Sequence, residues 1–221
     1  MDQSGGGDLA DRVLFVDAEA IVIDKPAGLP VDAPRSGGDS IAGRLDELKF
    51  GFHRPPVPVH RLDRDTSGCL LLARSPKARA RFGAAFERGE VEKTYIAVLE
   101  GNLSGEGIID LPLAKISSAE QGWRVVVDEK GKAARTRWRA GATRDGRTLV
   151  EFRPETGRTH QIRAHALYGL EASIVGDPVY GQSGKGLLLH AIRLFVPREK
   201  KPPIDVTAPL PQRFGEWRDE A

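Results

Sequence analysis

An α+β fold on a largely antiparallel sheet is what this 221-residue sequence predicts, and three observations carry the prediction. Short apolar, β-branched runs far outnumber helical patterns. They mostly follow one another with no helix-length crossover between them. The longer helical segments are few, and each has its own start signal, at Ser75-Pro76 and at Thr156–Thr159.

The elements follow in order. Val13–Val16 and Ala20–Ile23 flank Asp17-Ala18-Glu19 and read as a β-hairpin, which Lys25-Pro26-Ala27-Gly28 stops. Ser40 caps a short amphipathic helix over Ile41–Leu48. Val57–Leu62 and Cys69–Ala73 are apolar, strand-like runs. Ser75 followed by proline starts a helix to about Arg88, with Ala78, Phe82, Ala85 and Phe86 on one face and Gly89 as its end. Strands follow at Lys93–Leu99, Ile108–Leu111, Trp123–Val127, Ala134–Ala140 and Leu149–Arg153. Thr156–Thr159 opens a helix reaching Leu167, with Gly169 as its stop. Leu187–Val196 is a last long strand, and a proline-punctuated tail ends in a short helix near Phe214 and Trp217.

Composition narrows the class. At 40% apolar and 29% charged residues the chain reads as one ordinary globular domain over 12–221, preceded by a Gly-rich, acidic leader over 1–11 that is expected to be disordered. No run of about 18 apolar residues suggests a membrane span. The single cysteine, Cys69, excludes an internal disulfide and a cysteine-based metal cluster, and suits a reducing cytoplasm. Net charge is only +2 but unevenly placed. Residues 1–50 hold 5 Lys/Arg against 10 Asp/Glu, whereas 130–163 hold 10 against 3. Such asymmetry fits a polyanion-binding face, and equally a solvated surface without a partner.

Four polar segments interrupt the strand pattern. His60-Arg61-Leu62-Asp63-Arg64-Asp65-Thr66-Ser67-Gly68 lies between two apolar runs, so it falls at a sheet end where side chains converge on a ligand. By itself it also fits a charged surface turn. In Lys93-Thr94-Tyr95 alternation places Tyr95 on one face with Lys93 and Ala97. The third segment, Pro154 to His165, puts donors on the first turns of a helix, where free N–H groups favour an anion, and spaces His160 and Arg163 to share a face. Gly176-Asp177-Pro178-Val179-Tyr180-Gly181 is the fourth. His160 and His165, five residues apart, sit roughly 140° apart on a helix and cannot chelate one ion, so no metal site is expected. Gly181–Gly186 lacks the spacing of a phosphate-binding loop and reads as a surface loop. Asp63 and Asp65, on one face by alternation in an extended chain, are candidates for a general acid/base pair.

In combination these segments resemble the RluA-type family of RNA pseudouridine synthases. His60-Arg61-Leu62-Asp63 with Thr66-Ser67-Gly68 resembles its signature motif, and Lys93-Thr94-Tyr95 its tyrosine motif. Gly157 to His165 resembles its arginine motif, with Gly176–Gly181 and Asp24–Gly28 matching flanking segments in order. The likeness runs from about residue 13 to 210. It implies a mixed, mainly antiparallel sheet with a central RNA-binding cleft. It also implies isomerisation of a uridine to pseudouridine in ribosomal RNA of the large subunit and/or transfer RNA, without metal or organic cofactor, by a short form lacking an N-terminal S4-type domain. Asp63 resembles the catalytic aspartate, acting at the sugar either as nucleophile or charge stabiliser, or by taking the 2′ proton. Tyr95 resembles the residue that stacks on uracil and serves proton transfer. Arg163 resembles the arginine that pairs with the aspartate, and Arg61 the residue that enters the space left by the flipped base. Arg158 and His160 are further candidates for RNA binding. A non-catalytic RNA-binding protein and a hydrolase using Asp63 and Asp65 are the competing readings. The expected enzyme is a cytoplasmic monomer.

Overall fold

The computed structural model describes residues 7–118, 122–184 and 186–220. In chain order the strands and α-helices are β1 (Val13–Val16), β2 (Ala20–Lys25), β3 (Val57–Pro58), β4 (Ser67–Ala73), α1 (Pro76–Glu87), β5 (Glu92–Glu100), β6 (Glu106–Asp110) and β7 (Leu113–Ser118). There follow β8 (Gly122–Val127), β9 (Arg135–Arg144), β10 (Arg147–Pro154), α2 (Gln161–Leu170), β11 (Leu189–Val196) and β12 (Ile204–Thr207). 3-10 helices cover Leu9–Arg12 and Ala42–Leu48, and Gln212–Asp219 is two 3-10 turns broken at Gly215. The fold is α+β with mixed, mainly antiparallel strand pairing, as the sequence pattern implies.

Where the sequence reads as one domain over 12–221, contacts gather the chain into two compact units. These are 1–93 with 191–210, and 94–190 with 211–221. The chain changes unit inside β5, inside β11 and between Leu210 and Pro211. Only the third change falls in a proline-punctuated stretch, so sequence punctuation does not mark the first two.

In the first unit β2 pairs with β1 and with β4, Ala20 opposite Ala73 and Lys25 opposite Gly68. β3 adds to β4, and β12 to β11. All seven residues of β4 are buried, which explains the unbroken apolar run Cys69–Ala73 within it. Helix α1 covers this sheet with Ala78, Phe82 and Ala85, packed in one cluster with Val22, Leu71, Leu194 and Val206. Its start is as predicted: Ser75 Oγ accepts the Ala78 N–H at 3.2 Å, and Pro76 occupies the first turn. Ser40 Oγ accepts the Gly43 N–H at 3.1 Å, but the helix expected over Ile41–Leu48 is a 3-10 helix that starts at Ala42, with Ile41 rather than Ser40 at its N-cap. The expected disordered leader is corrected at its end. Asp8 caps Leu9–Arg12, Leu9 is fully buried, and its N–H donates to Glu47 at 2.8 Å. Residues 1–6 lie outside the described residues.

In the second unit the order is β5-β10-β9-β6, all antiparallel, and β7 and β8 form a separate hairpin. Helix α2 closes the core with Ile162 and Ala166 against Ala97, Ile109, Val150 and Phe152. Gly169 does not stop this helix, which continues to Leu170 and ends at Glu171 in a left-handed conformation. A Cβ on Gly169 would come within 2.7 Å of Ile109 Cγ2, so the glycine is there to let the helix lie close to β6.

Candidate active site

In the first unit, the signature segment is the loop between β3 and β4, and it is fastened at several points. His60 Nε2 accepts the Leu71 N–H at 3.0 Å, and the ring stacks on Phe86 at 4.8 Å. Burial, aided by the charge of Lys93, pushes this imidazole down to about 3, so it stays neutral and keeps its acceptor. Leu62 points into the core and Thr66 N–H closes a turn onto Asp63 O at 3.2 Å. Gly68, at φ +109°, ends the loop where a Cβ would lie 2.3 Å from Ala191 O.

Lys25 completes the arrangement. Its side chain is fully buried, and Nζ donates to the carbonyls of Pro26 (2.7 Å), Leu29 (2.8 Å) and Arg64 (3.0 Å). Gly28 N–H also donates to Arg64 O, and Arg64 Nε donates back to Gly28 O. Two loops 36 residues apart are thereby joined on either side of Arg64, one residue from Asp63. Asp63 is half-buried, while Arg61 lies outside with 70% of its side chain exposed, 3.2 Å from Asp32. In the sequence Lys25 reads as part of a strand stop. A lysine at the end of an otherwise apolar strand was the signal for more.

In the second unit Tyr95 is half-buried on β5 opposite Phe152 of β10. Arg163, on the first turn of α2, is 4% exposed. Its Nε and Nη2 donate to Asp177 Oδ2 and Oδ1 at 2.7 and 2.8 Å. Asp177 Oδ1 also accepts the N–H groups of Val179 and Tyr180. Burial raises the Asp177 carboxyl, but the guanidinium and these N–H groups outweigh it and hold it below the usual range. The fourth motif therefore orients the third. The sequence flagged Asp177 within a motif without giving it a task.

His160 corrects an expectation. It does not share a helix face with Arg163, because it precedes the helix in a left-handed conformation (φ 52°). The two meet instead through Tyr180: His160 Nδ1 lies 3.1 Å from its hydroxyl, and the Arg163 guanidinium carbon 5.2 Å from its ring centre. The helix starts at Gln161 rather than Thr156 because the Gln161 side chain organises that stretch. Its Oε1 accepts from Thr156 Oγ1 and Arg158 N–H, and its Nε2 donates to Arg135 O and Thr136 Oγ1. Arg158 is exposed and donates to Ala133 O. His165 is buried, with its nitrogens 2.8 Å from Thr136 Oγ1 and 3.0 Å from Leu111 O. Among the described residues no cluster of three or more His, Cys, Asp or Glu is placed to hold a metal.

The arginine excess over 130–163 is smaller in space than along the chain. From outside that stretch Glu216 and Glu220 meet Arg144 and Glu100 meets Arg147; within it Arg135 and Arg137 share Glu155, and Arg139 and Arg153 flank Glu151. Gly181–Gly184 is exposed, and Lys185 lies outside the described residues.

The model of the RNA pseudouridylate synthase family matches residues 19–168, which takes in Lys25, the signature loop, Tyr95 and Arg163. The chain belongs to that family. It is 57% identical over 211 residues to an uncharacterized RNA pseudouridine synthase of Zymomonas mobilis, covering 93% of this chain and 96% of the relative. It is 35% identical over 227 residues to the ribosomal large subunit pseudouridine synthase D of the same organism, covering 93% and 71%. Among solved structures, human RNA pseudouridylate synthase domain containing 4 superposes with a TM-score of 0.78 at 25% identity, covering 93% of this chain and 91% of that one. The protein is an RluA-type isomerase that converts uridine to pseudouridine in RNA. Among the described residues no helix is long and apolar enough to cross a membrane.

Proposed function

We propose that this enzyme isomerises one specific uridine of large-subunit ribosomal RNA and/or transfer RNA, with Asp63 as the carboxylate that acts at the sugar while the N-glycosidic bond breaks. The observation that carries this reading is the fastening of the Asp63 loop by Lys25, His60 and Gly68, which holds a half-buried carboxylate on a rigid support. The kinship with a ribosomal large subunit synthase supports the RNA class. Tyr95 stacks on the uracil and moves a proton at C5. Arg163, oriented by Asp177, supplies the positive charge that keeps Asp63 ionised during the reaction. Arg61 leaves Asp32 to fill the space of the flipped nucleotide; an exposed pair of this kind is worth about 0–1 kcal/mol, so exchange is cheap. Arg158 and His160 contact the RNA backbone near the flipped base. No metal or organic cofactor takes part, and the enzyme works as a cytoplasmic monomer.

The test incubates wild type and Asp63→Asn with unmodified ribosomal and transfer RNA and maps pseudouridine by carbodiimide adduct stops. Wild type should mark a single uridine and Asp63→Asn none, with RNA binding retained. Asp65→Asn should keep activity. Binding without pseudouridine on any RNA would favour a purely RNA-binding role, and release of free uracil would indicate a hydrolase.

A further inference from the structure

One exposed tryptophan has no part in the reaction described above. Trp123 lies on β8 near the end of the β7–β8 hairpin, paired across the strands with Ser117, and is 46% exposed. The base of the same hairpin face is buried: Leu113 and Val125 cluster with Ala164 of α2 and with Tyr180. Tyr180 hydroxyl accepts the Val125 N–H at 2.9 Å, which fixes the hairpin to the segment that also orients Arg163. Above this anchor the Trp123 ring stands nearly perpendicular to His160 at 5.0 Å, and the exposed Lys115 places its Nζ 5.9 Å from the ring centre.

We infer that Trp123 and Lys115 form a stacking site for an unpaired base of the substrate RNA, set apart from the uridine that reacts. The inference rests on the proposed RNA modification and adds a place that reads the strand beside it. A protein-docking patch would rim the ring with apolar side chains. Here the described neighbours are a lysine, a serine and an imidazole, which match a base face joined to a phosphate. The ring is held on a hairpin packed against α2, so little order is lost when a base stacks on it.

The experiment measures anisotropy of a labelled, unstructured RNA of about ten nucleotides with the Asp63→Asn protein, alone and combined with Trp123→Ala, Trp123→Phe or Lys115→Gln. Stacking on an aromatic ring is worth about 1–3 kcal/mol per base, so Trp123→Ala should weaken binding about 5- to 150-fold. Trp123→Phe should keep most of the affinity. Lys115→Gln should reduce the slope of log K against log salt by about 0.7. In the active background Trp123→Ala should raise KM on the substrate RNA and leave the saturated single-turnover rate unchanged. Binding and KM within about twofold of the parent would overturn the inference, as would an unaltered salt slope in Lys115→Gln, whose exposed side chain leaves folding intact. Wild-type pseudouridine formation with an indifferent Trp123→Ala would sink the stacking site alone. Weakened binding without pseudouridine from wild type would sink the catalytic reading alone.

Discussion

Replacing Asp177 with asparagine tests how Arg163 is held. In the native chain the Arg163 fork donates to both carboxylate oxygens at 2.7 and 2.8 Å, with Asp177 fully buried and Arg163 nearly so. Asparagine keeps the shape, but it turns an NH2 towards a guanidinium and removes the counter-charge at that position. Breaking a buried pair on one side costs about 3–5 kcal/mol. For a chain of this size each kcal/mol lowers Tm by about 2–4 °C, so the variant should melt about 6–20 °C lower at pH 7 by circular dichroism. The acid side gives a second check. The Asp177 carboxyl is depressed in the folded protein below its ordinary 3.8, so its contribution to stability is complete above that value and is lost as pH falls through the folded one. The Tm gap between wild type and Asp177→Asn should therefore stay constant from about pH 8 to 5 and narrow below about pH 4. A gap worth under about 1 kcal/mol at neutral pH, or one that widens on acidification, refutes the argument.

Lys25→Met leaves the buried carbonyls of Pro26 and Leu29 without this donor and Arg64 O with the Gly28 N–H alone, and should cost about 2 kcal/mol or more; because these bonds shape the Asp63 loop, the single-turnover rate should fall at temperatures where the variant is folded. An unchanged rate in a destabilised Lys25→Met protein would limit the lysine to folding. His60 is neutral in the folded chain down to about 3, so wild-type stability should decline as pH falls from about 6.5 towards 3, and His60→Phe should lose that part of the decline in pH-dependent urea titrations. The same variant strands the Leu71 N–H, at about 1–3 kcal/mol. Gly68→Ala combines a left-handed φ with a Cβ 2.3 Å from a backbone oxygen, so it should lower Tm more than Gly83→Ala, where nothing lies within 4 Å; equal effects in a thermal melt would contradict this.

Two local signals, each complete within a few residues, match the fold. Ser75-Pro76 starts α1, and the two apolar runs flanking Asp17–Glu19 form the β1–β2 hairpin. Errors arose where a distant neighbour overrode local preference. Val57–Leu62 reads as one strand, yet β3 ends at Pro58 because the chain turns away to set His60 against Leu71 and Phe86. Leu113–Ser118 gives no strand signal in the sequence because Pro112 breaks the run and its pairing partner lies across a hairpin. Gly169 carried a C-cap signal, but the space beside Ile109 decided its use.

The candidate site divides the same way. The order of the motifs, and with it the family and the choice of Asp63, Tyr95 and Arg163, is written in consecutive residues and needs no coordinates. The supports of those residues are not. Lys25 reaches Arg64 across 39 positions, Arg163 reaches Asp177 across 14, and Arg144 and Arg147 meet Glu216, Glu220 and Glu100, carboxylates that a charge count over 130–163 leaves out. A sequence encodes which groups can donate or accept. Which donor meets which acceptor depends on the close packing of strands and helices brought together by burial, and that is settled only in the folded chain.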